Sequence, residues 1–326
     1  MTATPLPALP RIRFFRITRQ RQLAWWGSAL ACLLSVLGLV LCWLNPAIGA
    51  PLKPGLDFTG GTQIQVERAC GPGACTPISA LQVQERLARL DLPADERGTG
   101  APRLESAQVQ VLDQGRSLVL RLPALAPAQG AAVLADLQAL VGPLQSAGTG
   151  VNTIGPTLGA QLLQSSVVSL VVSFAAIALY IAFRYDRVFA FLALICLAHD
   201  VLITCGLFAW LGLLRGVEVD SLFAVALITV AGYSVTDTVV VFDRIREQKT
   251  LLSGLAMSDQ VDVAVDATLT RSLYTSFTTL LPLLGLIFFG GHSLFWFSVA
   301  LATGIAVGSW SSIGLAPTLL PVFSRR

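Results

Sequence analysis

Residues 23–44 read LAWWGSALACLLSVLGLVLCWL, without a single charged or amide side chain. At about 1.5 Å of rise per residue, a helix of this length crosses the roughly 30 Å hydrocarbon core of a bilayer. Residues 1–22 before it carry Arg11, Arg13, Arg16, Arg19 and Arg21 and no acid, a basic arm of the kind retained on the cytoplasmic side. A cleaved signal peptide is the competing reading. The apolar run is longer than the roughly 7–15 residues of a signal-peptide core, and no A-x-A cleavage site closes it. It reads as a retained helix, with Trp25 and Trp26 at the headgroup level.

Five further apolar runs follow, at 161–183, 188–214, 221–242, 272–290 and 294–323. The composition of the 326 residues agrees: 54% are hydrophobic and 13% charged, where a soluble chain has about a quarter charged. Mean hydropathy is +0.70. A soluble enzyme is excluded, and a net charge of +3 is too small to call for nucleic acid; the bilayer is the partner the composition demands. Lysine and arginine bias in the short connections sets the expected orientation. Arg184 and Arg187, then Arg244, Arg246 and Lys249, then Arg325 and Arg326 fall on the side of the basic arm, while the opposite short loops hold only Arg215. Both termini are expected in the cytoplasm and residues 45–156 outside it.

That stretch is where charges are frequent and alternation appears. Thr62-Gln-Ile-Gln-Val-Glu67 alternates like a half-buried strand, and residues 78–90 have the three-four spacing of a helix. Strand-like segments at 107–112 and 117–122, a second helix over 128–141 and an extended piece around Val151 complete a β-α-β-β-α-β order. The expected fold is thus an all-α membrane bundle of six helices, five of them in residues 157–326. An α+β, ferredoxin-like external domain is inserted after the first. Of the six cysteines, Cys70 and Cys75 alone face an oxidising compartment, and Gly71-Pro-Gly-Ala74 lets them meet in a disulfide. A reduced pair is the bland alternative. The domain contains no histidine, so no metal site is expected there.

Ionisable groups inside spans cost on the order of 2.5–3.5 kcal/mol at a helix centre, so each needs a reason. Asp237 in the fourth span and Arg271 at the start of the fifth lie at matching depth, and the expectation is that they pair in the bundle interior. A carboxyl that alternates between an apolar setting and a guanidinium neighbour alternately binds and releases a proton, whereas a permanent pair merely joins two helices. Asp200, beside His199 in the third span, is a further relay candidate. Its bland reading is interhelical hydrogen bonding from side chains about 100° apart. The Gly, Ser and Thr of residues 275–279 and 303–312 read as close-packing surfaces, and Pro282 as a kink.

Gly55-Leu-Asp-Phe-Thr-Gly-Gly61, Ile154-Gly-Pro-Thr-Leu-Gly159, Ala198-His-Asp-Val201, Gly232-Tyr-Ser-Val-Thr-Asp237 with Phe242-Asp-Arg-Ile-Arg-Glu247, and Thr275-Ser-Phe-Thr-Thr279 stand in this order. Together they resemble the successive signatures of the SecD/SecF family of bacterial protein-export membrane proteins. That resemblance covers almost the whole chain. It implies half of a resistance-nodulation-division type transporter in the inner membrane, paired with a SecD-like subunit. The implied partners are the Sec translocon channel complex, a membrane insertase and secreted polypeptides. By motif match, Asp237 and Arg271 take the roles linked to proton flow, and Asp57, Phe58, Gly60 and Gly61 open the external domain. No cofactor is implied. Thr236 and Tyr274 stand where asparagine is usual in the family, and the Cys70/Cys75 segment is foreign to its pattern.

Two other functional classes fit the sequence less well. A half-transporter for lipids or small amphiphiles fits the same architecture but needs an apolar cleft in the external domain. A membrane enzyme lacks a catalytic constellation.

Overall fold

A computed structural model describes residues 16–70, 75–94, 101–105 and 107–324; Arg11, Arg13, Arg325 and Arg326 lie outside them. The chain divides into two compact units, one of residues 1–53 and 166–326 and the other of residues 54–165.

In the first unit a short 3-10 turn, Ile17–Gln20, leads into α1, Arg21–Leu44. The buried positions of α1 are Ala24, Ser28, Ser35, Gly38 and Cys42; Leu30, Leu33 and Leu37 point outward. This inverts a soluble helix, because lipid is as apolar as leucine and small residues let helices approach. Three tryptophan N–H groups tie this helix in: Trp25 donates to Thr318 Oγ1 at 2.9 Å, Trp210 to the Leu34 carbonyl at 2.9 Å and Trp310 to Ser28 Oγ at 3.2 Å.

The second unit holds a one-turn helix, α2 (Leu56–Thr59), then β1 (Gly61–Arg68), α3 (Ala80–Ala88), β2 (Gln108–Leu112), β3 (Ser117–Leu122), α4 (Pro127–Val141) and β4 (Leu144–Ile154). The sheet order is β2-β3-β1-β4, every pair antiparallel. Ile64 stands opposite Leu120 on one side and Val151 on the other. Alternation along β1 sends Ile64 and Val66 into a core with Leu118, Leu120, Val83, Leu87, Val133 and Leu137, all fully buried. α3 starts two residues later than expected, because Ser79 and Gln82 form a reciprocal capping box. Arg86 on α3 chelates Asp136 on α4, its shortest contact 2.7 Å, and this bond raises the guanidinium pKa.

The remaining helices are α5 (Pro156–Arg184), α6 (Arg187–Arg215), α7 (Ser221–Leu251), α8 (Met257–Phe289), α9 (Gly291–Trp310) and α10 (Ala316–Phe323). Among the described residues, six helical stretches are long and apolar enough to span a membrane. α7 and α8 extend well past the apolar runs at 221–242 and 272–290. The Arg244–Glu247 pair holds the end of α7, and Val261, Ala264, Val265 and Thr268 bury one face at the start of α8, so both helices continue as amphipathic extensions. The run at 294–323 is not one regular helix: Ser311–Leu315 forms a π turn, in which the Ala316 N–H bonds to the Ser311 carbonyl. Pro317 follows and has no N–H to give, which favours a shifted ladder there. Gly304 sets the approach of α9 to α7: a Cβ there would lie 2.2 Å from Val230 Cγ2.

Candidate functional site in the membrane bundle

α7 turns Ser234, Asp237 and Thr238 inward, the i, i+3, i+4 spacing of one helical face, and leaves Tyr233 and Thr236 off it. Asp237 is buried and held from two other elements. Ser272 of α8 donates to its Oδ1 at 2.8 Å, and Ser312 of the π turn donates to its Oδ2. Asp200 of α6 is wholly buried. Its Oδ2 accepts from Ser234 at 2.5 Å and from Ser311 at 2.8 Å, and its Oδ1 lies 2.8 Å from His199 Nδ1. The other imidazole nitrogen of His199 is buried without a partner among the described residues. Beside this group, Tyr233 donates to Ser276 Oγ at 3.0 Å, and the Ser276 and Ser309 hydroxyls bond each other.

Two carboxyls, one imidazole and a set of hydroxyls from four elements therefore meet in an otherwise apolar bundle. A hydroxyl both donates and accepts, so a carboxyl surrounded by serines keeps hydrogen-bond partners with or without its proton. A carboxylate locked to a guanidinium is biased to one state.

Arg271 does not join this group. The sequence placed it against Asp237 in the interior, but among the described residues no ion pair links the two, and its side chain is exposed. Adjacent helical positions differ by about 100°, and Ser272 takes the inward one. His199 and Asp200, consecutive in one helix, bond each other directly despite their offset of about 100°, and Asp200 makes interhelical hydrogen bonds of the kind its bland reading foresaw, to α7 and the π turn. The serines were the part sequence reasoning missed. Ser311 and Ser312 belonged to a stretch read as packing surface, and Ser272 was overshadowed by its charged neighbour.

In the second unit, Gly60 and Gly61 have φ of +69° and +124°. A Cβ at Gly60 would sit 2.9 Å from Pro156 Cα, and one at Gly61 2.8 Å from the Leu122 carbonyl oxygen. Here the paired glycines serve a left-handed turn under close backbone contact, with Asp57 and Phe58 in the turn of helix before them. Cys70 and Cys75 are placed as a disulfide, Cα atoms 5.3 Å apart. Beside them the buried Arg68 donates to the carbonyls of Val141, Thr76 and Gly115 and to Thr76 Oγ1. An open apolar groove between α4 and β4 is lined by Leu125, Pro127, Gly130, Leu134 and Val151. At the end of the bundle, Tyr185 donates to Asp243 Oδ1 at 3.1 Å. Burial first, and this bond second, push its phenol up to about 12.

The model of the C-terminal part of the protein export membrane proteins SecD/SecF matches residues 136–326, and that of the SecD/SecF GG motif matches residues 48–70. The protein translocase subunit SecF of Prochlorococcus marinus is 51% identical over 94% of this chain and 94% of its own length. That of Synechocystis is 41% identical over 91% of this chain and 90% of its own. The crystal structure of SecDF, a translocon-associated membrane protein from Thermus thermophilus, superposes with a TM-score of 0.76 at 30% identity, covering 99% of this chain and 40% of that one. By both sequence and architecture, the chain belongs to the SecD/SecF family of protein-export membrane proteins, with SecF subunits as its full-length relatives.

Proposed function

We propose that this chain is the SecF-type half of a proton-driven accessory unit of the Sec translocase, with Asp237 as the group that takes up and releases the proton. The carrying observation is that Asp237, buried in a membrane bundle, is held by the hydroxyls of Ser272 and Ser312 and, among the described residues, by no ion pair. One elementary charge crossing the membrane field gains about 2.3 kcal/mol per 100 mV, enough for one or two protons per cycle to move a small external domain.

The complementary half is a SecD-like subunit. α8 presents Leu273, Phe277, Leu281, Leu284 and Phe288 on one exposed stripe, and near its start the exposed Arg271 stands beside that stripe. An exposed guanidinium within a spanning helix calls for a protein partner more than for lipid. The fused SecDF relative, of which this chain spans 40%, supports that pairing. Lysine and arginine bias supports cytoplasmic termini and a periplasmic external unit. Proton flow would then be read out as movement of that unit on secreted chains leaving the translocon channel, with the membrane insertase as a further associate.

The test is Asp237→Asn in cells depleted of the native subunit, which keeps shape and polarity but cannot titrate. Gradient-stimulated export of a secreted reporter is expected to fall at least tenfold while the variant still assembles with its partner. Normal export with an unchanged gradient dependence would leave Asp237 a structural acid.

A further inference from the structure

Ser311 and Ser312 differ from every other hydroxyl that touches the two acids. Ser311 Oγ lies 2.8 Å from Asp200 Oδ2 and 3.0 Å from the Gly308 carbonyl oxygen. Ser312 Oγ contacts Asp237 Oδ2 and lies 3.1 Å from the Ser309 carbonyl oxygen. Each hydroxyl has one proton and two acceptors within reach, so it serves one acceptor at a time.

We infer that Ser311 and Ser312 are positioning residues for the proposed proton coupling: rotating hydroxyls that hold Asp200 and Asp237 in place through both of their protonation states. When the carboxylate is ionised, the serine donates to it. When the carboxyl is protonated, its O–H donates to the serine oxygen, and the serine O–H turns to the helix carbonyl three residues back. No atom moves beyond a hydroxyl rotation, and no buried donor or acceptor is stranded in either state. The π turn is what supplies this arrangement, because it places consecutive serines against acids on two different helices. Ser234 and Ser272 contact the same acids but have no second acceptor among the described residues.

The charged and titratable groups facing the acids are Arg271 from α8 and Asp200 from α6 toward Asp237, and His199 and Cys196 from α6 and Cys32 from α1 toward Asp200. None lies on the π turn, so changing its serines alters no formal charge.

This inference rests on the proton-coupling reading, and its test is chosen to be separable from it. The full chain is purified with its SecD-like partner, reconstituted, and titrated by infrared difference spectroscopy. The protonated-carboxyl band lost in Asp237→Asn belongs to Asp237. Ser312→Ala is expected to raise the midpoint of that band by about one pH unit, tenfold in proton affinity, because the ionised form loses a donor. Ser312→Thr, which keeps the hydroxyl, restores the midpoint. Ser309→Ala removes a buried hydroxyl from the same segment that touches neither acid, and leaves the midpoint unchanged. An unmoved midpoint in Ser312→Ala overturns the inference, as does an equal displacement in Ser309→Ala. Export in Asp237→Asn reports on the coupling itself, whatever the serines do.

Discussion

Arg271 and Ser272 are neighbours in the chain, about 100° apart on α8: Ser272 is buried and donates to Asp237 at 2.8 Å, while the Arg271 side chain is exposed and makes no ion pair with that acid among the described residues. The arginine is thereby available to a partner subunit, and the acid is left to serines. Instead of the expected interior ion pair, the structure bonds the acid to serines and leaves the guanidinium at the helix surface.

The two residues should separate stability from assembly. In the isolated chain, Ser272→Ala should cost roughly 1–3 kcal/mol, the range for removing a partner from a buried polar group. Arg271→Met should stay within about 0.5 kcal/mol, as for a surface change, yet weaken co-purification with a SecD-like subunit at least tenfold. Thermal unfolding in detergent and pull-down measure the two. If Arg271→Met proves the more destabilising in the isolated chain, the arginine faces inward after all.

Tyr185 gives a pH signature at the end of the bundle. Its phenol is pushed from 10 up to about 12. Between those values the unfolded chain ionises the phenol while the folded chain keeps its proton, so this contribution to stability is present below about pH 10 and is lost as pH rises toward 12. Tyr185→Phe should flatten the fall in denaturation midpoint across that window, and tyrosinate absorbance should show one late-titrating phenol in the parent. An identical pH slope in the two proteins would rule out this linkage.

Gly60 should tolerate nothing larger. The left-handed backbone costs an alanine about 1–2 kcal/mol, and the Cβ would press on Pro156 backbone at 2.9 Å. Gly60→Ala is expected to lower the second unit's stability by more than about 2 kcal/mol, read as protease cleavage of β1 at a lower temperature. Cleavage at the parent temperature would mean that the turn yields.

Orientation is open to labelling. After mild reduction, an impermeant thiol reagent added to spheroplasts should reach Cys70 and Cys75, and a cysteine replacing Lys249 should react only once the membrane is opened. The reverse pattern would invert the topology and remove the external unit from the export side.

Much of this was legible in one dimension. Spanning helices announce themselves because the bilayer forces each segment to satisfy its own backbone hydrogen bonds over a set apolar length. The strands of the external unit were visible in the alternation at Thr62–Glu67, since a half-buried strand repeats every two residues. The amphipathic ends of α7 and α8 were missed because hydropathy marks where lipid begins, and a helix need not stop there.

The residues alone thus determined the six spans, the inserted β-α-β-β-α-β unit and the presence of costly acids at 200 and 237, all consequences of local periodicity and of the energy of burying charge. Tertiary structure decided what those acids touch. Ser272, Ser311 and Ser312 come from segments distant from α7, and their meeting with Asp237 and Asp200 depends on the rotation of each helix about its axis. A single residue step is about 100° of that rotation. It is set by packing contacts such as Gly304 on Val230 and by the π turn before Pro317, which no pattern along the chain encodes.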